Sequence, residues 1–271
     1  MSVAEDLRGA RFTTAELEGH LDVLAERVFQ TRTKWPHFSL LLRNLRELAA
    51  GLPPGARVVS MERGLLYGGC SLVAPLFQDH DFVSLDCSPQ SADTRGAYNA
   101  AMVEDPRFLF VPSTHRGAID QTGLETGAAD LLIVPNLVHH VADQDALFAE
   151  FARITAPGGK VYVFEPLLRE LHQIPDDYLR WTPFGMARAM TGVGLVPGEP
   201  ETTGGPFEAI AYCWAQALEY FPDDRREEMS RWFYDRHMPE LMAWDAAHTE
   251  NRARQHTAFP VAFSILAEKP A

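Results

Sequence analysis

Three things are scarce in this sequence. Only three of its 271 residues are cysteine. Cys70, Cys87 and Cys213 are odd in number and widely spread, which argues against a disulfide framework and against a zinc site built on paired spacing. They are expected as small core residues in a reducing compartment. Cations are also short: Lys and Arg number 24 against 37 Asp and Glu, a formal net charge of -13. Phosphate backbones are bound by a surplus of cations, so no nucleic-acid partner is expected. Long apolar runs are missing as well, since no window approaches the roughly 20 uninterrupted apolar residues that span a bilayer. The opening MSVAEDLRGARF has acids and no apolar stretch, unlike a secretory signal. The expectation is a soluble, cytoplasmic protein without a membrane partner. No internal repeat or low-complexity tract is present.

What is there reads as an ordinary globular chain, 46% hydrophobic and 23% charged. Leu17, Leu21, Leu24 and Val28 recur at helical spacing, and a second helical run follows from Phe38 through Leu41, Leu45 and Leu48. Trp35-Pro36 separates the two runs. Residues 1–50 are therefore expected as a helical cap, and 51–271 as an α/β domain. From Arg57 onward, short apolar runs alternate with helical stretches. The strand candidates are 58–61, 82–85, 108–111, 131–134 and 161–164, and such alternation implies right-handed βαβ units and a mostly parallel sheet. An aromatic-rich helical insert is expected at about 207–256, with Trp214, Trp232, Tyr234 and Trp244, before a last strand within 257–268. The charge run 223–228 reads as a solvated helix start.

The most informative stretch is 129–166, ADLLIVPNLVHHVADQDALFAEFARITAPGGKVYVFEP. It reads as a strand, a loop, an amphipathic helix, a Pro-Gly-Gly turn and another strand. Upstream, 58–69 reads VVSMERGLLYGG, an apolar run ending in Glu62 and followed by Gly64 and Gly68. Asp86 closes the next apolar run, 22 residues after Gly64. An acid there can accept hydrogen bonds from both hydroxyls of a ribose. Dinucleotide-binding folds place an acid similarly, so Asp86 alone does not choose between cofactors.

These segments resemble the class I S-adenosylmethionine (SAM)-dependent methyltransferases over about residues 55–200, with the last strand completing the match. The resemblance implies a three-layer, Rossmann-like α/β fold with a seven-stranded, mostly parallel sheet, and SAM as cofactor. It implies that Glu62, Gly64, Gly68, Asp86, Cys87 and Asn136 hold the cofactor, with Thr114 or its neighbours Ser113 and His115 at the base. Two departures stand out. Leu66 replaces the usual middle glycine, and no acid stands at Thr114–His115.

Methyl transfer is a displacement in which the enzyme aligns a nucleophile and can remove its proton, work that suits histidine. His139 and His140 follow the fourth strand, at the sheet edge where open α/β folds bind ligands. In relatives such pairs also serve as plain helix-start residues. His37 joins them as a candidate if the N-terminal helices close over the site. No HxH, HExxH or facial-triad spacing appears, so no metal is expected. The implied reaction is transfer of a methyl group to a small-molecule acceptor. The alternatives are a methyltransferase fold repurposed for non-methylating chemistry, an NAD(P)-dependent reductase, which lacks both an intact GxGxxG and a Tyr-x-x-x-Lys pair, and a non-catalytic partner subunit. A homodimer through the aromatic insert is expected.

Overall fold

The computed structural model describes residues 7, 9–64, 69–88, 105–249 and 259–271. Helix α1 (Thr14–Val23) starts at a capping box, in which the Glu16 backbone N–H donates to Thr13 Oγ1 and the Thr13 N–H donates to Glu16 Oε2. It runs into a wider turn, Leu24–Val28, and then breaks before α2 (Phe38–Gly51).

The central sheet contains β1 (Arg57–Glu62), β2 (Asp81–Asp86), β3 (His115–Arg116), β4 (Ala129–Pro135), β5 (Thr155–Pro166), β6 (Val196–Pro197) and β7 (Ala262–Glu268). Their spatial order is β3-β2-β1-β4-β5-β7-β6, and a short strand at Glu201–Thr203 also pairs with β7. All neighbouring pairs are parallel except those made by β7. The chain goes from β1 outward to β2 and then crosses back to β4, so the strand order reverses beside β1. A crevice opens there at the carboxyl ends of the strands.

Alternation along the buried strands divides the core into two. Val58, Leu131, Ile133 and Phe164 face α2, where Phe38, Leu41 and Leu45 recur at helical spacing. Val59, Leu132, Val134, Val161 and Val163 face the other way, toward Leu147, Phe151 and Ile154 of α3 (Gln144–Ile154) and Met186 and Met190 of α4 (Pro183–Gly192). Helix α2 is thus a layer of the sandwich. The wider turn behind α1 and Phe29 lie over the crevice. The aromatic stretch folds as α5 (Pro206–Ala217), α6 (Asp223–Trp232) and α7 (Met238–Thr249). These helices bury Ala211, Ala215, Phe233 and Met238 among themselves, and α6 buries nothing, as its charge run predicts.

Two expectations need correcting. Residues 108–111 are not the third strand. Val111–Pro112 pairs with Cys70–Ser71 in a separate ribbon, and β3 takes the third parallel place. Pro112 has no N–H for a ladder. Thr114 clamps the chain to β2 instead, its backbone N–H donating to Ser84 Oγ at 3.0 Å and its Oγ1 accepting from the Ser84 N–H at 3.0 Å. The cysteines are also not all core residues: Cys70 is buried, Cys87 partly so and Cys213 exposed. No helix among the described residues is long and apolar enough to cross a membrane.

Candidate active site

The site is assembled where β1, β2 and β4 end. Glu62 closes β1 and is buried. Its carboxylate accepts from Ser71 Oγ at 2.5 Å and from the Leu72 N–H at 2.8 Å, so it pins the chain that returns from the loop after β1. Burial pushes its pKa up. Gly64 opens that loop. A Cβ there would lie 2.6 Å from Ser113 Oγ, 3.2 Å from Asp86 Cγ and 3.2 Å from the Cys70 carbonyl, so only glycine fits without displacement. Gly68 and Leu66 lie outside the described residues. Asp86 sits opposite Glu62 in the register of β1 and β2 and accepts from the Ser88 N–H at 2.9 Å. A carboxylate has room for further hydrogen bonds.

Two cavities flank this corner, and Arg63 and His140 line both. The larger, about 530 Å³, lies among Cys87, Ser88, Gly117 to Asp120, Leu137 and Val141. Burial raises the pKa of the Cys87 thiol, with Asp86 and Glu62 adding to the shift, so the thiol is protonated and apolar in character. The smaller, about 110 Å³, is roofed by Leu24, Val28, Phe29, Trp35, Phe38 and Leu41 over a polar floor that includes Asn136, Arg169 and Gln173. Asn136 and Gln173 hold positive φ values, 58° and 53°, a strained backbone state that clusters at ligand sites. The buried Asn136 Oδ1 and Ser113 Oγ have no hydrogen-bond partner among the described residues.

His139 is fully buried. Its Nδ1–H donates to Glu165 Oε2 at 2.6 Å, while Glu165 Oε1 accepts the N–H groups of Leu137 and Val138 at 2.7 Å each. His140 turns its Nδ1 to the Asp176 carbonyl. Burial, His139 and Arg63 lower its pKa to about 2, so the ring is neutral at physiological pH and a weak base. His172 comes from the loop after β5 and faces His139, with 3.4 Å between the two Nε2 atoms. Burial and Arg169 bring its pKa down to about 4. His37 lies elsewhere, enclosed between Phe38 and Tyr212, and lines neither cavity. Burial and Arg169 lower its pKa to about 3. Both its ring nitrogens are unpartnered among the described residues.

The structure therefore brings Glu62, Gly64, Asp86, Cys87, Asn136, His139 and His140 to one corner. Thr114 is occupied on Ser84, and the exposed His115 lines neither cavity. The places expected for them beside the larger cavity go to Ala118, Ile119 and Asp120, because the third strand begins seven residues later than expected. Arg63 and His172 were not singled out from the sequence. Arg63 is visible only as the residue between Glu62 and Gly64, and His172 carries no local pattern.

The family model described as "Methyltransferase domain" matches residues 67–163, the stretch from the loop after β1 to β5. Over that stretch the chain is similar to methyltransferase domains. Two solved structures share the fold. The [4+2]-cyclase SpnF is 15% identical with a TM-score of 0.52, covering 96% of this chain and 98% of its own. A candidate sarcosine dimethylglycine methyltransferase from Galdieria sulphuraria is 16% identical with a TM-score of 0.50, covering 98% of this chain and 94% of its own. No curated protein matches the sequence. Methyltransferase domains use SAM, and the residues at this corner fit it. An obligate glycine lies beside Asp86, buried polar atoms of Asn136 and Ser113 lack partners among the described residues, and a cavity of nucleoside size opens next to Cys87.

Proposed function

We propose that the chain transfers a methyl group from SAM to a small-molecule acceptor with an apolar body and a polar end. The observation that carries this reading is the pair of unlike cavities meeting at Arg63 and His140, on the carboxyl ends of β1 and β4. SAM, when bound, supplies an electrophilic methyl group. Asp86 would take the ribose hydroxyls, with Cys87 and Ile119 beside the base and the glycine loop, including Gly68, beside the methionine part. Arg63 offers a cation for the cofactor's carboxylate. The apolar roof from Leu24 to Leu41 would exclude water from the acceptor. Neutral His140 would accept a hydrogen bond from the acceptor's nucleophilic group and orient it, because its depressed pKa makes it a poor proton carrier. His139, held by Glu165, would fix the neighbouring backbone.

A second reading keeps the fold and changes the reaction. It is favoured by Leu66, where the family pattern has glycine, and by the likeness to SpnF, which is a [4+2]-cyclase. The apolar surface of Ile210, Cys213 and Trp214 beside Leu167 and Leu168 is where a second copy would pair, and light scattering of the purified chain tests this.

Calorimetric titration with SAM and S-adenosylhomocysteine, with NAD as control, tests the main reading. Micromolar binding, weakened at least tenfold in Asp86→Ala, is expected. Absence of binding by either ligand to the folded protein removes methyl transfer. Product analysis then separates methylation from other chemistry.

A further inference from the structure

His139, His140 and His172 converge although 31 residues separate the last two. Their ligand-capable ring atoms all lie within 4.8 Å of one another. Each ring is held through Nδ1 by a group that can only accept. His139 Nδ1 meets the Glu165 carboxylate, His140 Nδ1 meets the Asp176 carbonyl, and His172 Nδ1 meets the Glu170 carbonyl at 3.1 Å and Asp177 Oδ2 at 3.2 Å. Acceptors of this kind place the proton on Nδ1 in every ring and leave Nε2 as a lone pair. The Nε2 atoms of His139 and His172 then face each other at 3.4 Å, lone pair against lone pair. That contact is repulsive unless a cation lies between them: a single shared proton, or a metal ion.

The geometry favours the metal. Two imidazole nitrogens each roughly 2.0–2.1 Å from a tetrahedral zinc lie about 3.4 Å apart. A carboxylate or carbonyl on the far nitrogen is the arrangement that orients metal-bound histidines. Glu165 and Asp177 also supply negative charge beside the rings, and both side chains are buried. We propose that these three histidines form a divalent-metal site of the zinc type, with its open position toward the two cavities that His140 lines. Three protein ligands and an open position match a catalytic rather than a structural zinc. In the setting of the proposed methyl transfer, a metal on His140 Nε2 would take over from the ring the holding of the acceptor's nucleophilic group, which points to a hydroxyl or thiol, the groups a bound metal acidifies. Only that last use depends on methyl transfer being the activity.

The test uses the metal alone, without SAM, so its failure and that of the methyl-transfer reading are separate. Metal-stripped protein is titrated with Zn²⁺ by calorimetry and with Co²⁺ by visible absorption. The expected result is one equivalent bound, with the intense d–d bands of a low-coordinate cobalt site. In His172→Ala the affinity is expected to fall at least about 100-fold, and in Glu165→Gln roughly 10–100-fold. Melting curves of the metal-free variants show that they fold. X-ray absorption of the zinc-loaded wild type is expected to give three imidazole ligands, a readout that does not depend on any variant. The proposal is overturned by absence of stoichiometric binding to the wild type, by binding that survives His172→Ala unchanged, or by a zinc shell without imidazoles. The pair would then share a proton.

Discussion

Glu165→Ala removes a carboxylate that holds three donors in the interior. The Leu137 and Val138 N–H groups lie 2.7 Å from Oε1 and the His139 ring 2.6 Å from Oε2, with Glu165 only 1% exposed. Each donor bonds a charged acceptor, worth about 1.5–3 kcal/mol, and each orphaned donor costs about 1–3 kcal/mol. Relief of the desolvation of Glu165 itself offsets part of this, leaving a net cost of about 3–5 kcal/mol for the three orphaned donors. For a chain of this size that corresponds to a melting temperature lower by roughly 5–10 °C. Urea unfolding followed by tryptophan fluorescence measures it. Glu165→Gln is expected to lose less, about 1–2 kcal/mol, because its amide oxygen still serves both backbone donors. Its NH₂ group, however, meets the His139 Nδ1–H and forces the other tautomer, a change visible in the ring ¹⁵N shifts of His139. A loss below about 1 kcal/mol in the alanine variant, or an unchanged tautomer in Glu165→Gln, refutes the reasoning.

Gly64→Ala is expected to weaken SAM binding at least tenfold in calorimetry. The added methyl would lie 2.6 Å from Ser113 Oγ and 3.2 Å from Asp86 Cγ, pushing the loop and Asp86 apart. His20 and His37 are buried with pKa values brought down to about 4 and about 3, below their unfolded value of 6.5. The unfolded chain binds more protons as pH falls below 6.5, so stability is lost toward pH 4, by up to about 1.4 kcal/mol per pH unit for each ring. His37→Leu is expected to make acid unfolding shallower and to leave stability at pH 7 unchanged or higher, because neither ring nitrogen has a partner among the described residues. Destabilisation above 1 kcal/mol at pH 7 counts against this. Thr13→Ala removes one half of a capping box and is expected to cost about 1 kcal/mol in a melting experiment.

Much of the fold was legible because its strands are buried on both faces and read as short apolar runs. Val58 to Met61 and Leu131 to Val134 announce themselves in this way, as do the loop and helix between β4 and β5; the expected Pro-Gly-Gly turn is instead an irregularity inside β5, where the register shifts between the Ala129–Thr155 and Leu131–Lys160 pairs. Asp130 stands at the start of β4. In the structure it also binds the Arg57 guanidinium, with Nη2 2.6 Å from Oδ1, across the starts of β1 and β4. The third strand was misplaced because β3 is two residues long and polar, while 108–111 is apolar for a different reason: Phe108 packs with Val23, Leu24 and Cys70. At the site, Glu62, Asp86, Asn136 and the His139-His140 pair were found from strand ends, the positions that topology directs to the crevice. Arg63 carries no motif of its own. His172 meets His139 only because the loop after β5 folds back over the sheet edge, a tertiary contact that leaves no local spacing to read.

The central claim is that SAM lies across the ends of β1 and β2 with its base in the larger cavity. A crystal structure of the protein with S-adenosylhomocysteine tests this most directly. The account predicts density beside Cys87 and Ile119, the ribose on Asp86, and the sulfur facing the cavity lined by Asn136 and His140. Density for the ligand in another cavity, or crystals grown at millimolar ligand with none in this one, would contradict it.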